Sequence, residues 1–190
     1  MIHALRLLVL PGALTLAACG DSRPPWAEGA MVRTERPSGV RPQDLGNFGP
    51  RLVGLHNRER AAVGAPALAW DDGLASAAAS YGPELARRGR LAHSPPEGRP
   101  GQGENLWMGT ADAYSLEDMV GSWAAEKRLF AAGTFPDVSS SGHWSDVAHY
   151  TQMIWPGSRR VGCALHRSAR WDFLICRYAP GGNVVGQPVP

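Results

Sequence analysis

The stretch RVGCALHRSARWDFLICRY, residues 160–178, contains two runs of strand-forming residues separated by a short polar segment. This pattern predicts a β-hairpin. If residues 167 and 172 face each other across the two strands, Cys163 lies directly opposite Cys176 on one face of the hairpin. Directly opposed residues of antiparallel strands are close enough for a disulfide, so we expect this pair to be bonded. The alternative is a pair of buried free thiols.

Residues 1–18 have the features of a secretory leader. Arg6 provides a basic start, and the apolar run that follows is interrupted by Pro11 and Gly12. This run is too short to cross a membrane, which takes about 20 apolar residues. The leader ends in LAAC, which resembles a bacterial lipobox, and the resemblance implies that Cys19 is lipidated and begins the mature protein. An ordinary signal peptide cut nearby is the alternative.

Three cysteines are an odd number for an exported protein unless one of them has another role. A lipidated Cys19 leaves Cys163 and Cys176 as a pair in an oxidising compartment, which favours the disulfide. We therefore expect a protein of the bacterial cell envelope, held at a membrane through Cys19. Gly20 differs from the aspartate of the inner-membrane retention signal, which favours the outer membrane. The net charge of +2 argues against a nucleic-acid partner.

The chain divides into segments of different composition. Residues 19–48 contain prolines and charges without a sustained apolar period, which predicts a tether carrying the lipidated cysteine. Residues 49–186 have the length and apolar content of one packed domain, and residues 187–190 are expected to form a tail. Helical patterns come first in this domain and the hairpin closes it, which predicts an α+β fold.

Local signals predict two helices in the first half of the domain. The first begins near Pro50 and ends at Gly64, the usual preferences of these residues for the start and end of a helix. The second is expected to be capped by Asp71. Pro83 should end or kink this second helix, because proline lacks the backbone N–H and clashes with the preceding turn. Residues 94–103 read as a loop.

Two further helices are predicted in the second half. The third covers residues 115–130, with Ser115 as its N-cap and an apolar stripe along one face. The fourth covers residues 145–155, with Ser145 as its cap and Pro156 as its end.

Glu126 lies on the apolar stripe of the third helix, three residues after Trp123. A buried carboxylate without a partner is costly, so Glu126 is expected to have a partner, to be protonated or to line a cavity. A glutamate that reaches solvent from the edge of the stripe is the alternative. His93, Glu104 and His149 are further candidates for chemistry, but their spacing matches no local metal motif.

Seven separated stretches resemble, in the same order, landmarks of the CAP superfamily, which includes cysteine-rich secretory proteins, insect antigen 5 and plant pathogenesis-related proteins. HYTQMIW, within residues 148–155, and FLICRYAPGGNVVG, residues 173–186, resemble the two signature motifs of this family. The upstream stretches are LHNRER, GAPALAWDDGLASAA, LAHS, GENLW and SWAAE. The match spans about residues 50–186. It implies an α–β–α sandwich with a central antiparallel sheet between helical layers.

The resemblance also implies a cleft with two histidines and two glutamates. The residues expected to line it are His93, Glu104, Glu126, His149, Tyr150 and Gln152. Imidazole and carboxylate are competent ligands for zinc and other divalent metals. His93 and His149 are therefore the expected metal ligands, with Glu104 and Glu126 as further candidates. The same four residues are the candidates for catalysis, because neighbouring carboxylates and imidazoles shift each other's protonation.

Two main functions are compatible with such a cleft. The first is a lipid-anchored binding module that holds a divalent metal, a small apolar ligand or an envelope-derived ligand. The second is a metal-dependent hydrolase, similar to a peptidase, in which Glu104 or Glu126 is the general base. No activated nucleophile accompanies the four residues, so whether the protein is an enzyme stays open at this stage. A structural lipoprotein without a working cleft is the third alternative.

Overall fold

The computed structural model describes residues 45–190 and the backbone of residues 32–34. The expected leader at residues 1–18, Cys19 and most of the expected tether at residues 19–48 lie outside the described residues. The helices are α1 (Phe48–Ala62), α2 (Asp72–Arg88), α3 (Leu116–Ala124) and α4 (Ala148–Ile154). The strands are β1 (Val32–Thr34), β2 (Ala69–Trp70), β3 (Gly103–Thr110), β4 (Gly133–Thr134), β5 (Arg160–Arg167), β6 (Trp171–Ala179) and β7 (Pro188–Val189). Within the described residues, short 3-10 turns cover Pro96–Gly98, Ala125–Arg128 and Trp144–Val147.

The main sheet has the strand order β1-β3-β6-β5-β2. Its three central strands, β3, β6 and β5, are antiparallel, as the family resemblance implied. The short edge strands β1 and β2 are parallel to their neighbours, so the sheet is mixed rather than wholly antiparallel. A parallel pair needs a long connection between its strands, and both edge strands are far in sequence from their partners. Strand β1 also shows that part of the stretch expected to be a tether joins the sheet.

The predicted hairpin is confirmed in its register. In the antiparallel pair β5 and β6, Val161 lies opposite Tyr178 and Cys163 lies opposite Cys176. The two cysteines form a disulfide with their Cα atoms 4.1 Å apart. Side chains two residues apart along a strand lie on the same face, so the assumed pairing of residues 167 and 172 together with the alternation of apolar residues was sufficient to place this pair.

Helices cover both faces of the sheet, which gives the α–β–α sandwich. On one face, α2 packs through Ala78 and Leu85 against side chains of β3 and β6. On the other face, α1 and α3 pack against the alternate side chains of the same strands, with Leu52 and Trp123 fully buried. Because side chains alternate between the faces of a strand, each central strand contributes to both cores. None of the helices within the described residues has the length and apolar character needed to cross a membrane.

A third apolar cluster lies beneath the segment between α3 and α4. It contains Tyr150, Ile154 and Trp155 together with Phe135 from this segment. Val189, in the stretch expected to be a tail, is only 2% exposed in this cluster. Residues 188–189 form β7, which pairs with β4, so the folded domain continues past residue 186.

Two of the expected helix caps are confirmed. Asp71 accepts a hydrogen bond from the backbone N–H of Leu74 at the start of α2. Ser115 and Asp118 form a capping box at the start of α3. In both cases the signal lies within four residues of the helix start, so local sequence was sufficient to find it.

Two expectations about the helices are wrong, and one of the two alternatives given for Pro83 is excluded. Ser145 does not cap the fourth helix, because residues 144–147 form a 3-10 turn and α4 begins at Ala148 without a side-chain cap of its own. The third helix ends at Ala124, and Glu126 belongs to the following 3-10 turn. Pro83 does not end the second helix, because α2 continues through it to Arg88. At Gly82 a Cβ would lie 2.5 Å from the Cβ of His166, so glycine lets this part of α2 approach the sheet closely.

Arg60 joins α1 to the segment after α4. Its side chain is fully buried and donates hydrogen bonds to four backbone carbonyls, those of Pro66, Met153, Trp155 and Ser158. Burial lowers the pKa of Arg60 to about 10, which still leaves it charged at neutral pH. The guanidinium has five N–H donors in a planar fork, so one side chain can bond several backbone carbonyls. The carbonyls at the end of a helix need such partners, because they have none within the helix.

Candidate functional site

A cavity of about 240 Å³ lies at the start of β3. Glu104 and Asn105 are consecutive in this strand, so their side chains leave it on opposite faces of the sheet. Glu104 faces the layer of α2, and Asn105 faces the layer of α4. The residues that line the cavity are His93, Arg99, Gln102, Gly103, Glu104, Asn105, Trp144, Ala148, His149, Gln152, Gly182 and Asn183. The cavity is therefore assembled from both helical layers around one end of the sheet.

His93 enters the cavity from the layer of α2. Its Nδ1 lies 2.7 Å from Oε1 of Glu104, and the same carboxylate accepts hydrogen bonds from the backbone N–H and the hydroxyl of Ser94. Nε of Arg177 is 3.0 Å from Oε2 of Glu104, as an ion pair whose angle does not make a hydrogen bond. Both oxygens of the Glu104 carboxylate thus contact groups of the protein.

These contacts keep Glu104 ionised in a buried position. Burial alone would raise the pKa of its carboxyl, but the hydrogen bond from His93 and the charge of Arg177 outweigh burial and hold the pKa below its ordinary value. Burial lowers the pKa of Arg177, while Glu104 raises it and the nearby positive charge of Arg99 lowers it further. Arg177 lies 5.9 Å from the ring centre of Tyr81, on the α2 side of the sheet.

His149 enters the cavity from the other layer. Its Nδ1 donates to Oε1 of Glu126 at 2.6 Å, and Oε2 of Glu126 accepts the backbone N–H groups of His149 and Tyr150. These are N–H groups of the first turn of α4, which has no cap of its own. Glu126 therefore replaces the missing N-cap and orients the ring at the same time.

Buried polar contacts hold His149 from the side of the core. Its ring stacks on Trp123 with the ring centres 5.9 Å apart. Asn105 donates one hydrogen bond to the backbone oxygen of His149 and another to the Tyr178 hydroxyl. Tyr178 in turn is 2.7 Å from Nε2 of His56, a ring that lies fully buried in α1. The backbone of His149 is thus connected to the first helix through the side chains of Asn105, Tyr178 and His56.

Glycines form one wall of the cavity around Gln152. A Cβ on Gly103 would lie 1.9 Å from Oε1 of Gln152, and a Cβ on Gly182 would lie 2.6 Å from the ring of Trp155. Oε1 of Gln152 accepts the backbone N–H of Gly182 at 2.8 Å. Only residues without a side chain let the backbone approach this closely. Gln152 therefore lines the cavity and also fixes the loop after β6.

The four expected residues form two pairs rather than one set of four. His93 pairs with Glu104, His149 pairs with Glu126, and both rings line the same cavity. Among the described residues, no group of three or more His, Cys, Asp or Glu side chains is placed to hold a metal ion. Glu126 lies behind His149 and is not part of the cavity lining.

Tyr150 is also absent from the cavity lining, although the family resemblance placed it there. It is 3% exposed and packs in the third apolar cluster, with its ring centre 5.4 Å from that of Phe130. Helix α4 turns by about 100° per residue, so the residue after an inward-facing His149 points away from the cavity.

Several lining residues were not identified from the sequence. Asn105 and Asn183 belong to GENLW and FLICRYAPGGNVVG, so the motifs that carry the resemblance could have indicated them. Arg99 and Gln102 come from the loop between α2 and β3, where proline and glycine indicate a loop but nothing indicates what its side chains contact. Arg99 donates to the backbone oxygens of Ser94 and Gln102 and so holds this loop together.

The arrangement defines a class of protein: a sandwich domain with two histidine–glutamate pairs at one end of its central sheet. The chain belongs to the cysteine-rich secretory protein family, CAP, whose model matches residues 53–178. The name of this family agrees with the exported location that the leader predicts.

Similar proteins include relatives from plants and yeast. Pathogenesis-related protein 1C of Nicotiana tabacum is 37% identical over 134 residues, which is 70% of this chain and 74% of the relative. Pathogenesis-related protein 1 of Arabidopsis thaliana is 38% identical over 136 residues, 70% of this chain and 76% of the relative. Protein PRY2 of Saccharomyces cerevisiae is 34% identical over 144 residues, 74% of this chain but only 40% of the longer relative.

Solved structures have the same fold. The structure described as NaASP2 with Zn²⁺ has a TM-score of 0.63 and 22% identity, and the match covers 80% of this chain and 86% of that one. BmVAL-1 has a TM-score of 0.62 and 23% identity, with 80% and 84% covered. At these identities the likeness establishes the α–β–α fold alone.

Proposed function

We propose that this protein is an exported binding module whose cavity holds a divalent cation between His93 and His149. One observation carries the proposal. Nδ1 of each ring is bonded to a glutamate, and no described residue makes a hydrogen bond to Nε2 of either ring. A carboxylate on Nδ1 fixes the tautomer that leaves the Nε2 lone pair available to a metal.

The donor set fits a borderline metal such as zinc, for which neutral imidazole is a common ligand. The two glutamates would act behind the ligands, as carboxylates that orient the rings and increase their basicity. The relative NaASP2 is described with Zn²⁺, and we extend that metal to this chain as part of the proposal. A bound cation supplies Lewis acidity and open coordination positions for a ligand.

The same geometry favours binding over hydrolysis. Catalytic zinc sites usually have three protein ligands, whereas this cavity offers two imidazoles. A general base must be free to take a proton from water, yet both carboxylates are engaged. Glu104 accepts bonds from His93 and Ser94, and Glu126 accepts bonds from His149 and the start of α4. Each oxygen of both glutamates already accepts at least one hydrogen bond from the protein, which makes either carboxylate a weaker base towards water.

The cavity favours a small polar ligand over an apolar one. Arg99, Gln102 and Asn183 line it along with the two imidazoles, and the apolar side chains in the lining are those of Trp144 and Ala148. Groups that complete the coordination of a cation are themselves polar, since the ligands of zinc are nitrogen, oxygen and sulfur.

Titration calorimetry of the purified full chain with ZnCl₂ tests the metal site. We expect one equivalent to bind, and His93→Ala and His149→Ala each to weaken binding at least tenfold. His143→Ala is the matched control, because His143 is exposed and does not line the cavity. Binding that is equal in all four proteins would show that the metal is held elsewhere.

We also propose that a lipid on Cys19 holds the domain at the bacterial outer membrane. The support is the LAAC sequence at the end of the leader and the glycine that follows it. Metabolic labelling with a palmitate analogue should label the chain but not Cys19→Ala, and density fractionation should place the labelled chain with the outer membrane. A secreted, unlabelled chain would contradict this proposal.

A further inference from the structure

The charges around the cavity balance only while no cation is bound. Arg99 and Arg177 carry positive charge, and Glu104 and Glu126 carry negative charge. Metal-bound imidazoles are neutral, so a bound divalent cation would leave two positive charges without partners. Neither carboxylate can turn towards the ion without releasing its histidine. In a partly buried cavity such an excess of charge attracts an anion strongly.

Arg99 is placed to meet that anion. Its Nε and Nη1 donate to the backbone oxygens of Ser94 and Gln102, which fixes the guanidinium against the loop. No described group makes a hydrogen bond to its Nη2. A guanidinium held in this way can donate to a carboxylate without losing further side-chain freedom.

Gln102 adds an unpartnered group to the same wall. Its Oε1 is buried without a hydrogen bond, which is uncommon for a buried polar atom. Its Nε2 is not among the buried atoms and makes no hydrogen bond to the described residues, so it can donate to a ligand in the cavity. The other polar lining side chains, Glu104, Asn105, Gln152 and Asn183, already make their hydrogen bonds within the protein.

We propose that Arg99 and Gln102 form an anion subsite, so that the ligand of this cavity is a small carboxylate-bearing molecule. This inference rests on the proposed metal site for the second contact of the carboxylate. One carboxylate oxygen completes the coordination of the cation between His93 and His149, and the other accepts hydrogen bonds from Arg99 and Gln102. No bond is formed or broken, because the proposed event is binding.

The test compares succinate with succinamide, its neutral diamide of nearly the same shape. The full chain loaded with Zn²⁺ should bind succinate at least tenfold more tightly than succinamide in titration calorimetry. Arg99→Gln should reduce this preference to less than threefold. Arg99→Lys should retain part of it, since the charge remains and the planar fork is lost. Arg90→Gln, at an exposed position outside the cavity, should behave as wild type.

Arg99 also clamps its loop, so a purely structural role needs its own readout. Removing a positive charge beside the cation relieves repulsion, and Arg99→Gln should therefore bind Zn²⁺ alone as tightly as wild type or more tightly. A variant with a damaged loop would lose affinity for Zn²⁺ and for succinate together. In wild type, succinate should also shift the NMR signal of the Arg99 Nε–H group, which requires no substitution.

Equal binding of succinate and succinamide by the wild type would overturn the inference, as would an unchanged preference in Arg99→Gln. Failure of the metal site is distinguishable from this result, because it appears as no Zn²⁺ binding by wild type. In that case the same titrations of metal-free protein decide the matter. A preference for succinate that depends on Arg99 would support an anion site that needs no metal, and no preference would overturn it.

Discussion

The carboxylate of Glu126 contacts His149 at two points, the ring Nδ1 at 2.6 Å and the backbone N–H at 3.0 Å. One residue therefore fixes both the start of α4 and the orientation of the ring in the cavity. Capping α4 and orienting the ring both require a hydrogen-bond acceptor with two oxygens, but substitutions of Glu126 should affect the two roles differently.

Replacing Glu126 separates the two tasks. Glu126→Ala leaves two backbone N–H groups and Nδ1 without partners, and we expect a loss of about 3 kcal/mol in the free energy of unfolding by urea. Glu126→Gln should cost less, because its amide oxygen can still accept from the backbone. Its amide nitrogen would donate to Nδ1 and place the ring proton on Nε2, so Zn²⁺ affinity should fall about 10-fold to 100-fold. Glu117→Gln, an exposed change in α3, is the control; unaltered Zn²⁺ affinity in Glu126→Gln would contradict the assigned tautomer.

Two glycine-to-alanine changes should have opposite signs. In Gly103→Ala the new Cβ would lie 1.9 Å from Oε1 of Gln152, and the displaced amide would lose its bond to Gly182. We expect a destabilisation of about 1–3 kcal/mol. In Gly121→Ala, on an exposed turn of α3 with nothing within 4 Å, alanine should stabilise the protein by up to about 1 kcal/mol. Thermal unfolding measures both, and a neutral Gly103→Ala would show that the cavity wall is not tightly packed.

The free energy of unfolding should decrease as the pH is lowered, because His56 is buried in its neutral form. Its Nδ1 donates to the backbone oxygen of Leu52 and its Nε2 accepts from Tyr178, so the buried ring is neutral. Burial lowers the pKa of His56 from 6.5 to about 4. Between these two values the unfolded chain binds a proton that the folded protein does not, so the folded state loses about 1.4 kcal/mol for each pH unit of acidification.

Urea unfolding between pH 7 and pH 4.5 measures this loss. His56→Gln removes the titrating ring and should flatten the dependence by that amount. The carboxyls whose pKa is lowered, such as Glu104 and Glu117, lose their contribution only below about 4.5, the ordinary pKa of glutamate. An identical slope in the variant would show that His56 is not the group responsible.

The disulfide should account for a large part of the stability of the domain. Cys163 and Cys176 are 13 residues apart in sequence, and a loop of this size gives a stabilisation of about 3 kcal/mol in the chain-entropy model. Reductant should lower the urea midpoint of the wild type to that of the double variant Cys163→Ala, Cys176→Ala. The variant itself should not respond to reductant. A wild type that is equally insensitive would mean that the bond is absent in solution.

The features that could be predicted from the sequence depend on short-range rules. The disulfide followed from the alternation of side chains in a hairpin, and the caps at Asp71 and Ser115 followed from residues within one turn. Ser145 satisfies the same local rule and yet caps nothing, because Glu126 supplies the acceptor from another part of the chain. No local sequence pattern predicts that a distant residue caps the helix.

The cavity was only partly predictable for a similar reason. His93 and His149 could be carried over from the family motifs, but their pairing with separate glutamates depends on which face of the sheet each residue occupies. Arg99 lies in a loop whose path is set by its own contacts with two backbone oxygens. The conformation of that loop depends on tertiary contacts, so its functional side chain could be found only in the folded structure.

The guanidinium of Arg60 gives the first helix an unexpected influence on recognition. Its hydrogen bonds join α1 to the end of α4 and the segment after it, and α4 is the helix that carries His149. A screen for variants that no longer bind should therefore recover changes at Arg60, more than ninety positions upstream of the carbonyls it holds and without contact to any ligand. Such variants would lose binding because α4 is no longer held in place, and not because a contact with the ligand is removed.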